Sequence, residues 1–407
     1  MRTIISSLRH GMRPLTAAVV VGLAGSTLAG CNLEVSNPGP INDSDLNTVT
    51  AMTALVNGMG GDLSFGLGNY ITRGSLAGFE LMHSGNFAAE RKFAAGSLAT
   101  DDVNADWANL QRARWVAENG LVRMKTVLGT SFEANPLTVR AYLYAGFANR
   151  VLGENVCETT IDGGPRKPSS EHFVRADSLF TRALTLAQAI NNTAYVNAAL
   201  GGRAQVRANM GKWTEAAADA ALVPVAFRHN AIFGPASTRE NLDVATQTIT
   251  RREVTVWNTV WVADRDIRTP YDTVKTGTAI TKGQDGATNF FRQKKYLTLG
   301  DPVALAKGTD MLLIRAEAAL RANDVTNAMV YINQERASFT LPALTATTVD
   351  QVWPILQRER GAVLWLEGRR LWDLRRWGAE GKSTALGTRA ACMPISAEEL
   401  GSNPNLR

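Results

Sequence analysis

Fifteen residues near the C-terminal end, LWLEGRRLWDLRRWG (Leu364–Gly378), hold four arginines and three tryptophans. Such residues can do one of two things. Guanidinium forks stacked on indole faces can clamp an anionic ligand, because each fork offers paired N–H donors to a carboxylate or phosphate. Alternatively, acids at three-residue steps along a helix can neutralise the arginines from within. Glu367, Arg370 and Asp373 have that step, Glu359 and Arg360 lie two turns earlier, and Arg375 follows. Alternating sign favours an ion-pair network of Glu359, Arg360, Glu367, Arg370, Asp373 and Arg375 over a clamp. A network of this kind locks a fold, since removing one partner of a buried pair costs about 3–5 kcal/mol.

Other chemistry finds little footing. The histidines His10, His83, His172 and His229 are scattered, and the chain has no HExxH, CxxC, GxSxG or P-loop pattern. Carboxylate pairs that cleave glycosides are defined in space rather than by sequence spacing, and nothing else here argues for them. The residues point to a binding protein, with no enzyme activity, no metal and no cofactor.

The first 30 residues read as a secretory signal: three arginines without an acid, then a short apolar run too brief to span a bilayer. The ending LAGC (Leu28–Cys31) matches a bacterial lipobox, which makes Cys31 the lipidated residue of the mature chain. Asn32 follows it, rather than the aspartate that marks inner-membrane retention, so outer-membrane sorting is expected. Residues 31–50 are polar and read as a tether. Removing three arginines and no acids lowers the formal charge from +6 to +3, so the basic balance is no argument for nucleic acid. With Cys31 lipidated, Cys157 and Cys392 remain in an oxidising compartment, either bridged or as two buried thiols. A bridge would close a loop of more than 200 residues and contribute several kcal/mol.

Helical periodicity dominates the elements that must position these residues. In Asn104–Gly129, Trp107, Leu110, Ala113, Ala117 and Leu121 recur at three- and four-residue steps, with Asn104 as N-cap and Gly129 as stop. Pro136 opens a partner helix. The pairs Ala204/Ala216 and Ala316/Ala328 each set a small residue on one helix twelve positions before one on the next. That spacing is similar to tetratricopeptide hairpins, in which small residues allow close helix approach. The expected fold is mostly α, with tetratricopeptide-like helices over about 104–226 and 301–378. Residues 51–407 form one domain on this reading, with a loop-rich insertion of short β-strands over about 227–300. Within the insertion, EVTVWNTVWV alternates, which predicts a strand with Trp257 and Trp261 on one face.

ERGAVLWLEGRRLWDLRRWG resembles the C-terminal signature of the SusD/RagB family, and Glu359, Arg360, Leu364, Glu367, Gly368, Arg370, Asp373, Leu374, Arg375 and Trp377 fall on its positions. Val363 stands where the family usually has glutamate, and Arg369 where it often has histidine. CMPISAEELGSNPNL, FFRQKKYL, LLIRAEAALRA and DWANLQRARWVAEN resemble further family segments in the expected order. The resemblance implies a tetratricopeptide scaffold and an outer-membrane lipoprotein facing the cell exterior. It implies capture of a nutrient, an oligosaccharide or a peptide, and delivery to a SusC-like TonB-dependent transporter. The alternative is a tetratricopeptide envelope adaptor without a small ligand.

For a saccharide the expected surface is aromatic and polar, because sugar rings stack by their C–H faces and hydroxyls need hydrogen-bonding partners. Trp257 and Trp261, about 13 Å apart at roughly 3.3 Å per residue of strand, are one candidate wall. ADRDIR, directly after them, resembles a family Asp-x-Arg segment near ligand. Tyr70, Arg73, His83, Asn86 and Phe87 are the candidate second wall.

Overall fold

Helix α1 (Met52–Ala77) forms against its own composition. It contains six glycines, and each disfavours a helix interior by about 1 kcal/mol relative to alanine. Packing overrides that cost. Met52, Val56, Met59, Leu63, Tyr70 and Ile71 are all buried, and a Cβ at Gly68 would stand 2.7 Å from the ring of Phe233. Gly60, Gly66 and Gly68 are therefore the surface through which neighbours approach. This computed structural model describes residues 43–407, and residues 46–407 form one compact unit. Cys31 and the signal segment lie outside the described residues.

After β1 (Met82–His83) and α2 (Ala88–Ala95) comes the scaffold. Helices α3 (Asn104–Leu128), α4 (Pro136–Asn155), α5 (Ser170–Ala189), α6 (Thr193–Asn209) and α7 (Trp213–Ala221) pack as successive neighbours. Two short strands, β2 (Glu158–Thr159) and β3 (Lys167–Pro168), pair between α4 and α5. Pro136 sits in the first turn of α4, where the Asn135 side chain accepts from Leu137 N at 2.9 Å. Asn104 is not the N-cap of α3: it is the first helical residue, and its side-chain oxygen accepts from Glu398 N. Gly129, at φ 53°, ends the helix.

Strand β4 (Arg228–Ala231) opens the irregular region. There β5 (Val254–Thr255) leads into a single helical turn, α8 (Val260–Asp264), followed by β6 (Tyr271–Thr273), β7 (Lys275–Thr276), β8 (Ala279–Ile280) and β9 (Phe291–Gln293). Each strand has one partner: β1 with β5, β4 with β10 (Val303–Lys307), β6 with β9 and β7 with β8, all antiparallel. The scaffold resumes with α9 (Gly308–Arg321), α10 (Val325–Ala337), α11 (Val349–Val363) and α12 (Arg370–Ala379), and the chain closes on α13 (Ala397–Ser402). Ala204, Ala216, Ala316 and Ala328 are all at 0 % exposure, seated where α6 meets α7 and α9 meets α10. The fold is mostly α-helical, a tetratricopeptide-like scaffold carrying short strands. Among the described residues no helix is long and apolar enough to cross a membrane.

Two sequence expectations about local structure are overturned. EVTVWNTVWV is not one strand. Pairing with β1 covers only Val254 and Thr255, the Thr255 hydroxyl accepts from Trp257 N, and Asn258 turns the chain at φ 60°. Asparagine tolerates that left-handed conformation, and α8 begins two residues later. Trp257 and Trp261 therefore do not share a strand face. Nor is Leu364–Gly378 one helix. Leu366 (φ 55°) and Gly368 (φ 71°) break the chain between α11 and α12, so Glu367 and Arg370 are not a helical i,i+3 pair.

Cys157 and Cys392 form a disulfide across 235 residues, with Cα atoms 5.1 Å apart. Hydrogen bonds Cys157 N to Met393 O (2.8 Å) and Met393 N to Asn155 O (2.9 Å) continue the connection from the end of α4 to the C-terminal segment.

Candidate functional site

Five segments close around a cavity of about 720 Å³, within the range of small-ligand sites. The end of α1 and strand β1 supply Leu76, Gly78, Phe79, Leu81, Met82 and His83. Helix α2 presents Arg91, Ala94 and Ala95, one face at i, i+3 and i+4, and α12 presents Arg370 and Leu374 in the same manner. Asn258 to Trp261 form the wall opposite, and Ala385 completes it.

Trp261 is the anchor of this wall. It is only 2 % exposed and its Nε1 has no hydrogen-bond partner in the protein. Its ring lies 5.8 Å from the Arg370 guanidinium. Gly361 makes room for both: a Cβ there would stand 2.7 Å from the Trp261 ring and 2.8 Å from Arg370 NH1. Phe79 stands at the rim, 36 % exposed and held at φ 63°, with the Arg389 guanidinium 4.6 Å from its ring centre. His83 Nε2 is also without a partner. The cavity thus combines the exposed Phe79 ring, the buried Trp261 ring in its wall, His83 and arginine donors. That set can stack and hydrogen-bond a ligand. Among the described residues no group of histidines, cysteines and acids could hold a metal.

The structure brings together two of the ligand candidates singled out from sequence, Trp261 and His83, beside Arg370 from the expected ion-pair network. The others fall elsewhere. Trp257 is half-buried and off the wall. Tyr70 is fully buried beside Gly74. Arg73 is held by Asp106 at 2.7 Å and Glu90 at 3.4 Å. Asn86 is exposed, its amide N–H given to Glu253, and Phe87 packs against Arg251. Phe79, Arg91 and Asn258 carried no periodic signal in the sequence, since each lies at a chain turn or on a short helix. The Asp-x-Arg segment is structural: buried Arg268 binds Asp266 (2.7 Å), Glu335 (2.9 Å) and Glu359 (2.7 Å).

The arginine-rich stretch divides in two. Arg360 joins α11 to Asp373 on α12 (2.8 Å) and to Asp310 on α9 (2.5 Å). Arg376 binds Asp373 and Glu317, and these contacts hold the Glu317 carboxyl at a pKa of about 2 despite its burial. Glu359 is bound by Arg336 and Arg268, and Glu367 by Lys295 and Lys307. Arg370 and Arg375 stand outside this ion pairing, a correction to the sequence reading. Arg375 donates to Val156 O and lies over Trp372. Arg370 donates one N–H to Gln357 O at 3.0 Å and turns into the cavity wall, because Asp373 is already engaged by Arg360 and Arg376.

Comparisons agree with the fold. Residues 247–405 match the model of the SusD family. A SusD superfamily protein from Bacteroides thetaiotaomicron VPI-5482 superposes with a TM-score of 0.68 at 15 % identity, covering 88 % of this chain and 97 % of its own. A SusD-like carbohydrate binding protein from Bacteroides vulgatus ATCC 8482 gives 0.62 at 16 % identity, over 81 % of this chain and 83 % of its own. A laminarin binding SusD-like protein gives 0.60 at 14 % identity, over 88 % and 99 %. No curated protein sequence matches significantly. The C-terminal part of the chain thus matches the SusD family, and over most of its length the fold is that of SusD superfamily structures.

Proposed function

We propose that the protein is a surface lipoprotein of the outer membrane that binds an oligosaccharide and passes it to a SusC-like TonB-dependent transporter. The observation that carries this reading is the cavity beside Trp261, where the exposed Phe79 ring meets arginine and histidine side chains. Sugars need that combination, because their C–H faces stack while their hydroxyls require partners. Two similar structures are described as carbohydrate or laminarin binding, which supports the ligand class. The adaptor alternative gives the cavity no task. Lipidation at Cys31 supplies the anchor in this reading, several acyl chains each contributing roughly 0.8 kcal/mol per buried CH₂.

The test is calorimetric titration with a panel of neutral and acidic oligosaccharides, laminarin fragments among them. Ala95, exposed at the end of α2 and on the cavity wall, can be enlarged without disturbing the core. Ala95→Trp is expected to abolish binding and leave the Tm unchanged. Failure of every saccharide to bind, or normal binding by Ala95→Trp, would overturn the proposal.

A further inference from the structure

We propose that the ligand of this cavity carries a negative charge, a carboxylate or sulfate group on a saccharide, received by Arg91 and Arg370. The inference rests on the saccharide reading of the cavity and specifies its substrate class. Three observations carry it.

The first is the composition of the wall. It includes Arg91, Arg370 and His83 and not one acid. A third guanidinium, Arg389, stands over Phe79 at the rim.

The second is the contrast with the network arginines Arg268, Arg360 and Arg376. Arg268, Arg360 and Arg376 all meet carboxylates within 3 Å. Arg370 and Arg91 meet none among the described residues. Arg370 gives one N–H to Gln357 O, which leaves most of its fork undirected. Arg389 gives one N–H to Phe93 O, and its Nε has no partner. Arg370, largely buried, has only the more distant charges of Asp373 and Glu80 against its own, and an anionic ligand offsets the cost of burying it where a neutral one does not.

The third is that neighbouring acids are engaged elsewhere. Glu80, behind Arg370, accepts from Ser75 Oγ and Leu366 N. Asp373 is shared by Arg360 and Arg376. Asp285, close enough to His83 to interact electrostatically, accepts from Ala287 N, Thr288 N and Thr288 Oγ1. The Arg370 guanidinium lines the cavity 5.8 Å from the Trp261 ring centre, so an anionic ligand group received there sits beside that indole.

The experiment is isothermal titration with four probes: oligogalacturonides, carrageenan oligosaccharides, laminarin oligosaccharides and an oligoglutamate peptide. The uronate or the sulfate probe is expected to bind best, which also tells the two anionic groups apart. Arg91→Gln, at an exposed position, should weaken that binding about tenfold, the usual worth of one charge-assisted hydrogen bond. Arg370→Gln should do the same and Arg370→Lys less. Binding of the anionic probe should also weaken as salt rises. Preferential binding of laminarin fragments, unchanged in Arg91→Gln, would overturn the charge inference and leave the saccharide reading standing. Binding of the peptide alone, or of no probe, would overturn both.

Discussion

Single residues in this protein are governed by whether burial leaves them a partner. Glu80 illustrates the consequence. It is buried behind the cavity wall, and desolvation pushes its carboxyl from an ordinary 4.5 up to about 7, against the opposing hydrogen bonds from Ser75 and Leu366 N. Because the folded value is the higher one, Glu80 contributes stability that is full below pH 4.5 and is lost as pH rises towards 7. Glutamine keeps both contacts, its oxygen accepting from Leu366 N and its nitrogen donating to Ser75 Oγ, and it does not titrate. Glu80→Gln should therefore gain stability over the parent as pH rises from 4.5 to 7, by on the order of 3 kcal/mol, and level off above. Paired thermal melts across that range check it, and a constant offset would sink the idea. At this scale the sequence was only partly legible. Trp261 and His83 were found by residue type, but Trp261 was placed by an alternation that Asn258 interrupts. Arg370 was read as an ion-pair member because spacing cannot tell which neighbour has already taken Asp373.

At the scale of elements, charge does the joining. Helices α9, α11 and α12 meet through Arg360, which carries Asp310 and Asp373 together inside the protein. Arg360 and Arg369 hold the Asp310 carboxyl far below the usual carboxylate range, although burial opposes them. Arg360→Met keeps the length of the side chain and takes one cation from two buried acids, leaving Asp310 with Arg369 and Asp373 with Arg376. At neutral pH it should cost about 3–5 kcal/mol, read as a lower urea midpoint. The loss should shrink as pH falls below about 4, where an acid without its cation can protonate. A shift under 1 kcal/mol would show that water or neighbouring arginines compensate. Of the expected network only the Arg360–Asp373 pair is an ion pair within the stretch, while Arg370 and Arg375 go to carbonyl oxygens. The partners Asp310 and Glu317 were not legible in the sequence, since they lie about fifty residues away and come near only through packing. Helix α1 was hidden for the opposite reason: six glycines suppress the local signal, and three of them, Gly60, Gly66 and Gly68, are explained only by the neighbours that pack on them.

The whole molecule shows a division of labour. Helical pairs with buried alanines at their crossings were visible as a repeat, because that packing is periodic in the chain. The cavity was not, because its wall is gathered from residues 76–95, 258–261, 370–374 and 385, stretches with no common period. The disulfide between Cys157 and Cys392 ties the segment after α12 to the end of α4, and Ala385 on the cavity wall belongs to the stretch it secures. Such a binding body works in nutrient uptake only if it is held beside its transporter. In the proposed arrangement that holding has two parts, the lipid on Cys31 and the contact with the barrel. Cys31→Ala separates them. Without acyl chains, each worth roughly 0.8 kcal/mol per buried CH₂, the chain should leave the outer-membrane fraction for the soluble fraction while keeping its saccharide affinity by calorimetry. The lipidated parent should co-purify with a large β-barrel from detergent-solubilised outer membranes. If Cys31→Ala stays wholly with the membrane in cells lacking that barrel, the anchor is not Cys31. If the lipidated protein purifies free of any barrel, the transporter pairing is wrong and only the binding activity remains.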